Sequence, residues 1–220
     1  MDLLKIKDQA LSFMKPAKSE VLKWFHGQYE IDLKSDSSPV TVADRNAEEI
    51  LRKNITKHFP EHGIIGEEFG AESESADWVW TIDPIDGTTN FVHGYPFYAV
   101  SVAICQNGEI VAGLVNHVPL GDVYSATKGG GALCNGNQIS VSNTRALKQS
   151  LLATGFAYEH DDVWARNINH FREFTDITQG VRRAGAASLD FCHVARGWLD
   201  GFWEFGLSPW DTAAGALIVT

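Results

Sequence analysis

Cysteine, basic residues and long apolar runs are all scarce in this chain of 220 residues. Its 3 cysteines form no Cys-x-x-Cys pair, so the sequence predicts reduced thiols rather than a disulfide framework or a thiolate metal site. No apolar run is long enough to cross a bilayer, and charges at Asp2, Lys5 and Lys7 interrupt the N-terminal segment. We therefore expect a cytoplasmic protein without a signal peptide or a membrane partner.

The charge balance is acidic, with 18 Lys and Arg against 28 Asp and Glu and a formal net charge of -10. Such a charge disfavours nonspecific attraction to nucleic acid or to anionic lipid. Direct nucleic-acid binding is therefore not expected, and a site for anionic substrates would need cations.

The chain is rich enough in apolar residues, at 44%, to bury a sizeable core, and it lacks a linker rich in Pro, Gly or Ser. We expect one unit over residues 1–220, with a first half of helices and antiparallel sheet to about Thr144 and an α/β second half. Apolar spacing predicts an amphipathic helix to about Gly27 and a second helix from the N-cap Thr41 to His58.

Short strands are predicted after these helices. The first-half strands are Gly63–Gly66, Trp78–Ile82, Phe97–Cys105, Glu109–Val118, Val123–Thr127 and Gly131–Cys134. The pair Asn107-Gly108 predicts a hairpin turn. In the second half, strands at Leu151–Gly155, Val181–Gly185 and Leu199–Phe205 alternate with helices within Asp161–Ile177, at Ser188–Arg196 and from Ser208.

One segment carries the strongest chemical signal, Asp83-Pro84-Ile85-Asp86-Gly87. Pro84 fixes its own φ and holds Asp83 extended, so we expect the strand to end and turn there, bringing two carboxylates to one side. Gly87 lets the backbone approach a ligand, and Thr88 can open a helix whose free N–H groups bind phosphate.

Further acids follow other predicted elements. Glu67 and Glu68 end the preceding strand, and Asp211 lies in the first turn of the last helix. Taken singly, Asp211 and Asp44 suit a helix N-terminus electrostatically, and Glu67-Glu68 suits a solvated turn. If the acids converge, the ligands are all oxygen atoms, which favours Mg²⁺ or Mn²⁺ over zinc. The histidines, including His117 and His193, show no metal-ligand spacing and are predicted to be surface or hydrogen-bonded core residues.

Taken together, three segments resemble the signatures of the inositol monophosphatase family, in order and across nearly the whole chain. They are Gly66-Glu67-Glu68, Asp83-Pro84-Ile85-Asp86-Gly87-Thr88-Thr89-Asn90-Phe91 and Trp210-Asp211-Thr212-Ala213-Ala214-Gly215. The stretch Arg182–Gly215 is most similar to bacterial SuhB-type members. The resemblance implies a layered αβαβα sandwich, mixing α+β and α/β character, and a homodimer.

The resemblance also implies roles for individual residues. Glu67, Asp83 and the Ile85 carbonyl would bind one Mg²⁺, and Asp83, Asp86 and Asp211 a second, with a third, weaker ion near Glu67. Asp44 and Thr88 would be the catalytic pair that orients the attacking water. The implied substrate contacts are Ile85, Asp86, Gly87, Thr88, Gly185, Ala186, Ala187 and Glu204.

The implied reaction is two-metal hydrolysis of a small phosphate monoester, with an inositol monophosphate as the leading substrate. Histidinol-phosphate, fructose-bisphosphate and 3′-phosphonucleotide phosphatases stay open, because the loops that set specificity cannot be ranked from one sequence. An accessory role in a transcription or RNA complex is a further alternative. Members usually continue for another strand and helix beyond the third signature, so we expect a C-terminal part of the fold to be missing after Thr220.

Overall fold

The computed structural model describes residues 2–34, 38–158 and 160–220. Within them lie α1 (Leu3–Trp24), α2 (Val42–His58), α3 (Thr88–Val92), α4 (Asp162–Ile177), α5 (Ala187–Ala195) and α6 (Pro209–Val219), with a 3₁₀ turn at Leu147–Gln149. The strands are β1 (Ile31–Leu33), β2 (Pro39–Thr41), β3 (Gly63–Gly66), β4 (Gly70–Glu72), β5 (Trp78–Asp86), β6 (Ala99–Gln106), β7 (Glu109–His117), β8 (Asp122–Thr127), β9 (Gly131–Cys134), β10 (Asn137–Gln138), β11 (Leu151–Thr154), β12 (Gly180–Arg182) and β13 (Gly201–Trp203).

The largest sheet has eight strands in the order β10-β9-β8-β7-β6-β5-β3-β4. All its neighbours pair antiparallel except β3 and β5, which run parallel. A smaller sheet, β12-β11-β13, is wholly parallel, as in an α/β unit. The large sheet is therefore mixed rather than purely antiparallel, and its parallel pair proves to carry the site.

Strand β6 shows how the layers form. Val100, Val102 and Ile104 belong to the buried cluster shared with α1 and α2. Ala99 and Ala103 alternate with them and belong to the cluster shared with α5 and α6 on the opposite face. Because α5 also contacts β11 and β13, and α4 packs against β12, the order of layers is helix, sheet, helix, sheet, helix. The expected layered sandwich is confirmed.

Most predicted elements are present within a few residues of their expected ends. Thr41 caps α2, and the β6–β7 turn has Asn107 at φ 50 and Gly108 at φ 79, as a type I′ hairpin requires. The predicted strand end at Asp83 is wrong, because β5 continues to Asp86. The pairing shifts between Asp83 and Asp86, which oppose Ser101 and Ala99, so Pro84 lies in a bulge where the ladder needs no donor from it.

The described part of the chain contains no helix with the length and apolar character needed to span a bilayer. The expected division of the unit near Thr144 stays a prediction.

Candidate active site

The site begins where the parallel pairing of β3 with β5 ends. Gly66 pairs with Ile82, and the Glu67 amide donates to the Ile82 carbonyl at 3.2 Å. Glu67 and Asp83 come directly after this last pair and therefore lie side by side at one edge of the sheet, although 16 positions of sequence separate them.

The bulge in β5 turns the next acids toward that edge. The Ile85 amide donates to Asp83 Oδ1 at 3.0 Å, which fixes this carboxylate against its own backbone. Gly87 follows at φ 92, and a Cβ there would lie 3.0 Å from the Phe97 carbonyl oxygen. Only glycine suits this position, where the chain leaves the strand and enters α3.

Two further helices bring groups to the same place. The Asp86 carboxylate accepts hydrogen bonds from the first residues of α5, with Ala187 N at 3.1 Å and Ser188 N at 2.7 Å. Asp211, at the third position of α6, accepts from Ser208 N at 2.6 Å in a capping box. The start of α5 is thus joined to an acid of the first half, and the start of α6 contributes an acid of its own.

These groups line one cavity of about 150 Å³. Among the residues implicated by the sequence, it contains Glu67, Asp83, Ile85, Asp86, Gly87, Thr88, Gly185, Ala187, Glu204 and Asp211. Ala186 lies just behind as the buried N-cap residue of α5. Asp44 does not line the cavity and reaches it through Thr88.

The contact between Asp44 and Thr88 joins α2 to α3. Thr88 Oγ1 lies 3.0 Å from Asp44 Oδ1 and 2.9 Å from the Ile85 carbonyl oxygen, so the hydroxyl donates toward both. The other Asp44 oxygen accepts from Thr41 N at 2.8 Å and from Thr41 Oγ1 at 2.6 Å. Burial raises the pKa of Asp44 to about 6, against these hydrogen bonds, which lower it.

The carboxyl groups of the cavity act on one another electrostatically. Burial raises the pKa of Asp83 well above its usual range, and the charges of Glu67, Asp86 and Asp211 raise it further. Burial likewise raises the pKa of Asp86 to about 6 and of Asp211 to about 7, with charged neighbours adding to both shifts. Acids held in this way favour a cation among them.

Glu204 also lines the cavity and directly follows β13. Burial raises its pKa to about 8, and Asp86 contributes in the same direction. A Cβ on Gly155 would lie 2.1 Å from Glu204 Oε2, so the absence of a side chain at Gly155 makes room for this carboxylate.

Some residues at the site were missed from the sequence. Glu48, fully buried on α2, accepts from Glu68 N at 2.7 Å and Phe69 N at 3.2 Å and pairs with Arg52 Nε at 2.7 Å. The available signal was an acid among apolar positions of α2, four residues after Asp44. Lys34 also went unnoticed; its ammonium lies 2.7 Å from Glu67 Oε1 and 2.6 Å from Glu68 Oε1.

Over residues 2–34, 38–158 and 160–220, no three His, Cys, Asp or Glu side chains are arranged so that they could hold one metal ion together. In this arrangement Asp86 and Asp211 accept hydrogen bonds from backbone amides, and Glu67 pairs with Lys34. The donor set itself is all oxygen and fits Mg²⁺ or Mn²⁺ chemically. The Lys34 ammonium would compete with a bound cation for Glu67.

The layered sandwich that carries these acids places the chain in the same fold class as solved SuhB and inositol monophosphatase structures. The chain belongs to the inositol monophosphatase family, whose model matches residues 2–220.

Individual relatives agree with this assignment. The chain is 50% identical over 196 residues to "Phosphatase IMPL1, chloroplastic" of Arabidopsis thaliana, covering 86% of this chain and 53% of that protein. It is 45% identical over 185 residues to "Nus factor SuhB" of Pseudomonas aeruginosa, covering 82% of this chain and 68% of that protein. The solved inositol monophosphatase from Anabaena (Nostoc) superposes with a TM-score of 0.90 at 36% identity, covering 100% of this chain and 82% of that one. The chain thus spans about half the length of the Arabidopsis relative.

Proposed function

We propose that this protein hydrolyses small phosphate monoesters with the help of Mg²⁺, and that an inositol monophosphate is its leading substrate. The observation that carries the proposal is the shared cavity of Glu67, Asp83, Asp86 and Asp211. Two unit charges about 4 Å apart repel by roughly 4 kcal/mol at an effective dielectric near 20, so this cluster would reject a phosphate unless cations neutralised it. Family membership supports the same reaction.

In this proposal Glu67, Asp83 and the Ile85 carbonyl hold one Mg²⁺, Asp83, Asp86 and Asp211 hold a second, and a third, weaker ion lies near Glu67. When bound, such ions lower the pKa of water and stabilise charge on phosphate and leaving-group oxygens. Mn²⁺ would fit the same donors.

The remaining steps belong to the chain's own groups. Asp44 and the Thr88 hydroxyl orient the water that attacks phosphorus, and the geometry in support is their contact at 3.0 Å. The N–H groups of Gly87 and Thr88 donate to phosphate oxygens, and Glu204 accepts hydrogen bonds from the hydroxyls of the alcohol portion. Attack forms the new oxygen–phosphorus bond, and the ester bond breaks to release the alcohol and inorganic phosphate.

The test is phosphate release by the purified protein, with Mg²⁺ and with a chelator, from inositol 1-phosphate, histidinol phosphate, fructose 1,6-bisphosphate and a 3′-phosphonucleotide. Asp86→Asn should abolish release, because it removes a ligand charge at the cluster, and Asp44→Asn should lower kcat by about 100-fold or more through loss of water orientation. Asp176→Asn, an exposed acid on α4, is the matched control. Full activity of the Asp86 variant would contradict the assignment, and the substrate ranking selects among the four esters.

A second candidate function is an accessory role in a transcription complex, which the name of the Pseudomonas relative, Nus factor SuhB, favours. The Asp86→Asn protein separates the two functions, since it should lose hydrolysis and keep any binding to a transcription complex. A homodimer and a cytoplasmic location complete the proposal; gel filtration with light scattering tests the first and cell fractionation the second.

A further inference from the structure

Ser188 is a buried serine whose polar groups both reach one carboxylate. Its amide donates to Asp86 Oδ2 at 2.7 Å and its hydroxyl donates to the same oxygen at 2.5 Å. The residue is 0% exposed, so no water substitutes for these bonds. Asp86 Oδ1 accepts only from Ala187 N, at 3.1 Å, among the hydrogen bonds of the described residues.

The contact replaces a missing helix cap. Helix α5 begins after Ala186, which has no side-chain oxygen and makes no capping hydrogen bond. Asp86 comes from a strand about a hundred residues earlier and satisfies the first amides of α5 in its place. The backbone donors would serve this purpose alone, so the Ser188 hydroxyl adds something that capping does not require.

What the hydroxyl adds is a fixed orientation for the carboxylate. With two donors on Oδ2 and one on Oδ1, rotation about the Cβ–Cγ bond of Asp86 would break the short Ser188 bond. Oδ1 is left with the greater capacity to accept a cation, since a carboxylate oxygen has two lone pairs. Groups that hydrogen-bond a metal-binding carboxylate set its orientation and basicity.

We infer that Ser188 is a positioning residue for Asp86, which holds the carboxylate ready for a divalent cation. The inference rests on the proposed function, because it takes Asp86 to be a Mg²⁺ ligand. It goes beyond that proposal by assigning a role to a side chain that binds neither substrate nor metal.

The experiment compares Ser188→Ala with the wild-type protein and with Ser150→Ala. Ser150 is also buried, and its hydroxyl donates to the Ala146 carbonyl at 3.1 Å, away from the acids. Mg²⁺ is titrated into the metal-free proteins by calorimetry, the dependence of phosphate release on Mg²⁺ gives KM and kcat, and Tm is measured in chelator.

Loss of an outer partner of a metal ligand typically costs about 10- to 100-fold in metal affinity. We therefore expect Ser188→Ala to raise the Mg²⁺ Kd by about 10-fold or more and to affect the KM for Mg²⁺ more than kcat. Ser150→Ala should leave the Kd unchanged. A Ser188→Ala protein that binds Mg²⁺ as tightly as the wild type, with a lowered Tm alone, would reduce Ser188 to a structural residue and overturn the inference. A wild-type protein that neither binds Mg²⁺ nor releases phosphate would overturn the proposed function and, with it, this inference.

Discussion

Asp44 and Asp211 each cap a helix with the carboxyl group that the proposed function assigns to the site. Both are third-position acids of capping boxes, on Thr41 and Ser208. A charge at a helix terminus is therefore compatible with the proposed roles, water orientation for Asp44 and metal binding for Asp211. In Asp44 the two contacts fall to different oxygen atoms, because Oδ2 accepts from Thr41 in the helix cap and Oδ1 accepts from Thr88. The cap fixes the rotamer that the site uses.

Two histidines meet the expectation of hydrogen-bonded core imidazoles only in part. His117 Nε2 lies 3.2 Å from the Pro96 carbonyl oxygen, but the buried atoms His117 Nδ1 and His193 Nε2 have no hydrogen-bond partner among the described residues. Their rings lie 6.3 Å apart between centroids, and both contact the Phe97 ring. The positions of histidines in the sequence do not show which ring nitrogen atoms will find hydrogen-bond partners, so this pair could not be predicted.

Burial of these imidazoles predicts a contribution to stability that is lost in acid. Burial lowers the pKa of His193 to about 4 from 6.5, with His117 and Arg196 acting in the same direction and Asp122 opposing. In the unfolded chain the His193 imidazole takes up a proton near pH 6.5, whereas in the folded protein it stays neutral down to about pH 4. The contribution of His193 to the free energy of unfolding should therefore fall as pH drops through this window, on the order of 1–3 kcal/mol, and not further below it. The buried acids of the cavity, whose pKa values are raised, contribute in the opposite direction.

Denaturant titrations of the wild type and of His193→Phe from pH 7.5 to 4.5 isolate this contribution. The free energy of unfolding of the wild type should fall relative to that of His193→Phe as the pH drops, whereas its difference from His160→Phe, at an exposed position, should stay constant. A constant difference between the wild type and His193→Phe would contradict the prediction.

At the scale of elements, the turn after β3 depends on a contact with α2. A Cβ on Gly66 would lie 2.0 Å from Glu48 Oε1 and 2.9 Å from Arg52 Nη2. Glycine at this position therefore lets the Glu48 carboxylate approach the backbone and bind the amides of Glu68 and Phe69. Helix α2 in this way sets the path of the turn that carries Glu67.

Gly66→Ala should consequently displace Glu48 and leave the partly buried amides of Glu68 and Phe69 without their partner. We expect a loss of about 1–3 kcal/mol in the free energy of unfolding, measured by chemical denaturation, together with weaker Mg²⁺ binding. Gly201→Ala is the control, because its Cβ would meet only the end of the Leu152 side chain at 3.2 Å. A Gly66 variant as stable as this control would show that Glu48 can move at little cost.

The elements also show what the sequence could and could not predict. Local signals were sufficient for α2, with its Thr41 cap, and for the Asn107-Gly108 hairpin, because capping and turn chemistry lie within a few residues. The extension of β5 to Asp86 was missed because the bulge depends on pairing with Ser101 and Ala99. The Glu48 and Ser188 contacts were missed for the same reason, since each spans parts of the chain that only the fold brings together.

At the scale of the whole molecule, the layers put acids from three regions in one cavity. The ends of the parallel pair supply Glu67, Asp83 and Asp86, and α6, packed on the same sheet, supplies Asp211. The spacing of motifs could suggest this convergence, yet only the order of the strands explains it. In a chain with a net charge of -10, the one ammonium that pairs with Glu67 in the described residues, that of Lys34, has a large influence on the cluster.

Lys34 therefore gives the last prediction. Burial of Glu68 raises the pKa of that carboxyl to about 7 while the Lys34 ammonium lowers it, so the ion pair stabilises the metal-free protein. Lys34→Met should lower Tm in chelator, because Glu67 and Glu68 lose their counter-charge. The same change should tighten Mg²⁺ binding, because the ion no longer competes with the ammonium for Glu67.

Thermal unfolding with and without Mg²⁺ measures both effects. A ligand at 100 times its Kd stabilises a folded protein by about 2.7 kcal/mol, which corresponds to roughly 5–10 °C in a domain of this size. The Mg²⁺-dependent rise in Tm should be larger in Lys34→Met than in the wild type. Lys23→Met, which removes the exposed pair with Glu20, should leave the rise unchanged. A smaller rise in the Lys34 variant would mean that the ammonium assists cation binding. The prediction that Lys34 and Mg²⁺ compete for Glu67 would then be wrong.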